Sequence, residues 1–155
     1  MKRTLLIALL ALTSLSVAAE QKLKILELDD APVSEEYAEK GRAFSAAQDK
    51  ASKVPAPEAK DFITKLNHSV TVAMSQLQNK QMDKTKARDQ IIELRKFEKD
   101  GKRFGVMTTP FHKCNEAAIN AATSWEGLIN NNLDQFQHGY MEYLQAGAKC
   151  EEAAN

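Results

Sequence analysis

The chain is predicted to fold as an all-α antiparallel bundle of about five helices, with the last two forming a hairpin closed by a disulfide. Three observations point there. Glycine is scarce, 6 of 155 residues, and the strand formers are diluted by Ala, Lys, Glu and Gln, so good helix formers dominate. Apolar residues recur at intervals of three and four along most of the chain, the period of a helix that buries one face. Two cysteines, Cys114 and Cys150, flank a run of three asparagines.

The N-terminus reads as a cleavable export signal. Lys2 and Arg3 precede an uncharged run from Leu5 to Leu12, and Val17 and Ala19 stand at the minus-three and minus-one positions of a cleavage site. The apolar run is well short of the roughly 20 residues a spanning helix needs. We therefore expect a signal peptide over residues 1–19, an extended arm over 20–33 and a single helical domain over 34–155. The short basic start suits a bacterial envelope protein and makes the periplasm the expected address, where two cysteines are oxidised when geometry permits. The full chain carries 21 basic and 21 acidic residues, and losing Lys2 and Arg3 leaves it slightly acidic. That balance provides no field for nucleic acid or for an anionic membrane, and no membrane span is expected once the signal is removed.

Each element has its own signals. Leu23 to Leu28 partly alternates and is read as an extended arm or a short strand. Ser34 is placed as the N-cap of the first helix, with Glu35 and Glu36 in the first turn and Tyr37, Phe44, Ala47 and Ala51 on one face. Pro55 and Pro57 separate it from a second helix whose stripe is Phe62, Leu66, Val70, Ala73 and Leu77. Asp83 is positioned to cap a third helix that turns Ala87, Ile91, Leu94 and Phe97 inward and presents a mixed, solvated charged face. Asp100-Gly101 is read as its end. The loop from Lys102 to Thr109 then holds Phe104, Val106 and Met107 among small residues.

Thr109 as N-cap and Pro110 as first residue are expected to open the fourth helix, which carries Phe111, Cys114, Ala118, Ala121, Trp125 and Leu128 on one seam. The fifth has Leu133, Phe136, Tyr140, Tyr143, Gly147 and Cys150 at the same steps. If the two fold back about Asn132, facing residues lie equally far from it, and Cys114 and Cys150 each stand 18 residues away. The same register puts Ala121 opposite Tyr143, Leu128 opposite Phe136 and Trp125 near Tyr140. Ala117, Ala118 and Gly147 are small enough to bring the backbones to the roughly 5.5–6 Å Cα separation of a disulfide.

Chemical motifs are absent from the chain. His68, His112 and His138 form no metal-ligand pattern with each other, and a bonded Cys114 cannot act as a ligand. A covalent haem site needs Cys-x-x-Cys-His, and hydrolase, metalloprotease and phosphate-binding motifs are equally missing. No catalytic residue, cofactor or metal is expected. The expectation is a non-catalytic periplasmic module that binds another protein, most concretely an immunity or inhibitor protein occluding a toxin or wall-degrading enzyme. An envelope assembly factor or chaperone is the alternative, and a small-molecule or haem carrier the third. The candidate contact residues are Phe104, Val106, Met107, Trp125, Tyr140 and Tyr143.

Overall fold

A computed structural model describes residues 34–155; the predicted signal segment and arm lie outside them. Five helices follow in order: α1 (Glu35–Ala51), α2 (Ala56–Gln78), α3 (Lys84–Gly101), α4 (His112–Ile129) and α5 (Leu133–Ala154). A single 3-10 turn, Lys102–Phe104, extends α3, and the described residues contain no strand. The predicted helical bundle is therefore the observed one.

The bundle is organised around α4, which packs along α5, against α3 and against α2. Its sequence explains why. Alongside the predicted seam, α4 buries Asn115, Ala117, Ala122, Ser124 and Gly127, so small side chains cover most of its circumference and helices approach from several sides. Onto it fold Phe62, Ile63, Leu66 and Val70 of α2 and Leu94 of α3. Phe62 takes the ring of Phe104 edge-on at 4.8 Å and that of Phe97 at 5.8 Å. Arg103 lays its guanidinium over Phe104, 4.9 Å from the ring centre, closing that end of the core with a cation–π contact.

The hairpin of α4 and α5 has the predicted disulfide, Cys114 to Cys150, with Cα atoms 4.9 Å apart. Backbone contact between the two helices centres elsewhere. A Cβ on Gly127 would lie 2.6 Å from the Phe136 nitrogen, and one on Gly139 would lie 3.0 Å from Ser124. Both pairs are symmetric about the Asn131–Asn132 peptide, half a residue from the predicted centre. Gly147 instead faces α2, with Ile63 3.7 Å from its would-be Cβ. In the turn Asn131 adopts φ 55, a left-handed conformation asparagine tolerates better than most residues. Asn132 donates its backbone N–H to the Gly127 carbonyl at 2.8 Å and accepts from Gln135 N–H at 3.0 Å, ending one helix and capping the next.

Asp83 caps α3 as predicted, accepting from Lys86 N–H at 2.9 Å. Other boundaries depart from expectation. Ser34 occupies the N-cap position of α1 without a side-chain bond to the helix. The fourth helix starts at His112 rather than Pro110, with Phe111 as N-cap, because the Thr109 hydroxyl is spent on the Phe104 and Val106 carbonyls. α3 ends at Gly101 as predicted, but Gly101 keeps helical angles and lies closely against Asn115 and Ala118, and the chain reverses only at Gly105, φ 73.

The predicted stripe of α1 is corrected more strongly. Only Ala51 is buried in that helix, while Tyr37 and Phe44 are 69% and 56% exposed. The contact of α1 with the body is made near the 3-10 turn, so only its last turns reach the core. Leu133 is also exposed, since it is the first residue of α5 and lies beyond the last turn of α4. Trp125 meets Phe136 edge-on, ring centres 6.2 Å apart, and the stack then runs through Phe136 to Tyr140.

Two outcomes are expected. Reduction, or Cys114→Ser, removes a cross-link whose 36-residue separation corresponds to about 3–4 kcal/mol on the chain-entropy model, so Tm measured by circular dichroism falls by many degrees. Gly127→Ala forces α4 and α5 apart and costs about 2 kcal/mol or more in urea denaturation; an unchanged midpoint contradicts the close approach.

Candidate functional site

The six candidate contact residues separate into three groups. Phe104 and Trp125 are wholly buried and Tyr143 nearly so, so these belong to the core and cannot form a contact surface. Their large rings fill space that the small residues of α4 leave between helices. Tyr140 is half-buried. Val106, 41% exposed, and Met107, 82% exposed, remain at the surface.

The loop that carries them is held from below and from the side. Phe104 anchors its start in the core, and Gly105 then turns the chain left-handed where a Cβ would come within 2.7 Å of both Gln48 Oε1 and Thr109 Cγ2. From α4, Asn115 Nδ2 donates to the Gly105 carbonyl at 3.0 Å. From α1, Gln48 Oε1 accepts the Val106 N–H at 3.0 Å. The loop tip and the last turns of α1 are thus tied into one body. Sequence reasoning passed over Gln48, Gly105 and Asn115, since single polar residues off a stripe carry no periodic signal.

Gln48 lies one turn beyond Phe44, which is itself two turns beyond Tyr37, so both rings lie toward the helix face that meets the loop. Tyr37 and Phe44 on α1, and Val106 and Met107 on the loop, are the exposed large apolar residues of these two elements. Both charge signs surround the two rings on α1, with Lys40 pairing to Glu36 at 2.6 Å.

Tyr140 and Tyr143 belong to a different place, between α2 and α5. The Tyr143 hydroxyl donates to Asn67 Oδ1 at 2.6 Å, and Asn67 Nδ2 donates to Glu151 Oε1 at 2.6 Å. Burial raises the pKa of the Tyr143 phenol well above the ordinary tyrosine range, with further push from Tyr140 and Glu151. A neutral phenol suits a donor in a helix-to-helix brace. On the opposite flank of α4, Arg95 links Glu98 on α3 to Glu126 on α4.

The histidines take ordinary places. His112 Nδ1 lies 2.8 Å from the Thr109 carbonyl at the start of α4, and His68 and His138 are exposed. Among the described residues no group of three His, Cys, Asp or Glu is placed to hold a metal ion.

These features define an all-helical domain braced by one disulfide, with an aromatic helix face and a tied loop on its surface. Against protein-family models, characterised proteins and solved structures, the chain finds no match.

The Tyr143 brace has a pH signature. A phenol whose pKa is raised in the folded state contributes in full below the unfolded value near 10, and the contribution fades as pH rises through the folded value. Tyr143→Phe is therefore expected to cost about 1 kcal/mol at neutral pH for the lost hydrogen bond. It should also flatten the decline of Tm between about pH 10 and 12. Equal alkaline slopes in the two proteins would contradict this.

Proposed function

We propose that this protein is a non-catalytic, exported protein-binding module of the bacterial envelope. Its contact surface is the Tyr37–Phe44 face of α1 together with Val106 and Met107. The observation that carries the reading is the exposure of two aromatic rings on a helix that is fastened to the body only near its last turns. Aromatic and methionine side chains are over-represented in the cores of protein interfaces, and aromatics lead among their energetic hot spots. The loop part of this surface, held by Gln48, Asn115 and the positive-φ Gly105, loses little freedom on binding.

The most concrete form of the reading is an immunity or inhibitor protein acting in the periplasm. It rests on the export signal predicted for residues 1–19, the disulfide, the small size and the lack of any catalytic motif. An envelope assembly factor is the second form, and the same surface serves it.

A photo-crosslinking residue at position 44, in cells expressing the full chain, is expected to trap one periplasmic protein. Tyr37→Ala with Phe44→Ala should lower the affinity for that protein about tenfold or more. The substitutions should leave Tm nearly unchanged, because neither ring is in the core. If the trapped protein is an enzyme whose activity falls on addition of this chain, the inhibitor form holds; if it belongs to a membrane complex, the assembly form does. Unaltered binding by the double variant would overturn the surface.

A further inference from the structure

Of the six glycines in the chain, five are explained by the packing within it and one is not. A Cβ on Gly101, Gly105, Gly127 or Gly139 would lie 3.3 Å or less from a neighbouring atom, and one on Gly147 would lie 3.7 Å from Ile63. A Cβ on Gly41 would meet nothing within 4 Å. Yet Gly41 stands near the middle of α1, where glycine weakens a helix relative to alanine. It has no positive φ and lies away from both caps, so neither a turn nor a helix end calls for it. Residues that break local rules are found where function requires them.

Gly41 is also at the centre of the bare face of that helix. Tyr37 is four residues before it and Phe44 three residues after it, positions that share one face, and both rings are exposed. Lys40, at the edge of this face, is taken up by Glu36 at 2.6 Å and by the Tyr37 ring, 5.7 Å from its centre. Glu39 and Arg42 fall toward the far side. The two ends differ in sign. Two acids, Glu35 and Glu36, open the helix, whereas one acid, Asp49, and two bases, Lys50 and Lys53, stand at its close.

We propose that two copies of this chain pair through α1, antiparallel and crossing at Gly41. With no side chain at the crossing, the two backbones approach closely, as α4 and α5 do at Gly127 and Gly139. A two-fold axis there sets Tyr37 of each copy beside Phe44 of the other, so each exposed ring covers a ring. Antiparallel pairing brings each acidic start toward the other copy's net basic close and sets the unlike ends of the helix dipoles together; parallel pairing would set acid beside acid. The face is thus self-complementary, as a two-fold interface requires. A helix of 17 residues is about 25 Å long, so the contact is at the small end of specific interfaces and the dimer is weak. It gives way to a tighter protein partner on the same face. The pairing adds to the partner reading and does not rest on it.

The test is sedimentation equilibrium of the purified protein alone, from about 10 μM to about 1 mM, with a dissociation constant of about 100 μM expected for so small a contact. Phe44→Asp should weaken the dimer about tenfold or more. Gly41→Leu should weaken it by a similar factor while raising helix content in circular dichroism, since leucine favours the isolated helix and blocks the crossing. Loss of the dimer with a gain of helix keeps lost pairing distinct from lost fold. In a half-labelled sample, isotope-filtered NOEs should join the Tyr37 ring to the Phe44 ring, which are about 10 Å apart along one helix. The proposal is overturned by a monomer at the highest concentration, by an undiminished dimer in either variant, or by cross-copy contacts between like rings only. No other protein is present, so failure here leaves the partner reading standing, and a crosslink at position 44 that traps no other protein leaves the dimer standing.

Discussion

Two helix backbones meet almost without side chains between them at Gly127 and Gly139, and the rest of the molecule is arranged around that contact. At Gly127 the space beyond the Cα is filled by the Phe136 backbone, and at Gly139 by Ser124. The Asn131–Asn132 turn sets the register, and the Cys114–Cys150 bond holds the far end of the same hairpin. A hairpin fixed near both ends presents a continuous wall, on which α2 and α3 deposit Phe62, Ile63, Leu66 and Leu94.

That wall accounts for the fate of the large aromatic side chains. Helices brought close by Ala and Gly leave gaps at their margins, and Trp125, Phe104 and Tyr143 fill them. The interior of a protein is close-packed, so a ring placed in such a gap serves packing and is lost to recognition. The rings left outside, Tyr37 and Phe44, are on the one helix that the wall does not engage along its length.

The helical period, the turn residues and the cysteine spacing were sufficient to read the five helices, the inward stripes of α2 and α3, the Asp83 cap and the disulfide, because each depends on neighbours within a few residues or on the symmetry of one hairpin. Which apolar residues reach the surface depends instead on how many partners a helix finds. α1 also carries a stripe, yet Tyr37 and Phe44 stay exposed because only the last turns of that helix reach the body. Phe104 and Trp125 read as candidates for contact and became core, since burial is decided by the gaps between helices and not by the residue itself. The roles of Gly105, Gln48 and Asn115 arise only when segments far apart in the chain meet. Local order is written along the chain; exposure and adjacency are properties of the packed whole.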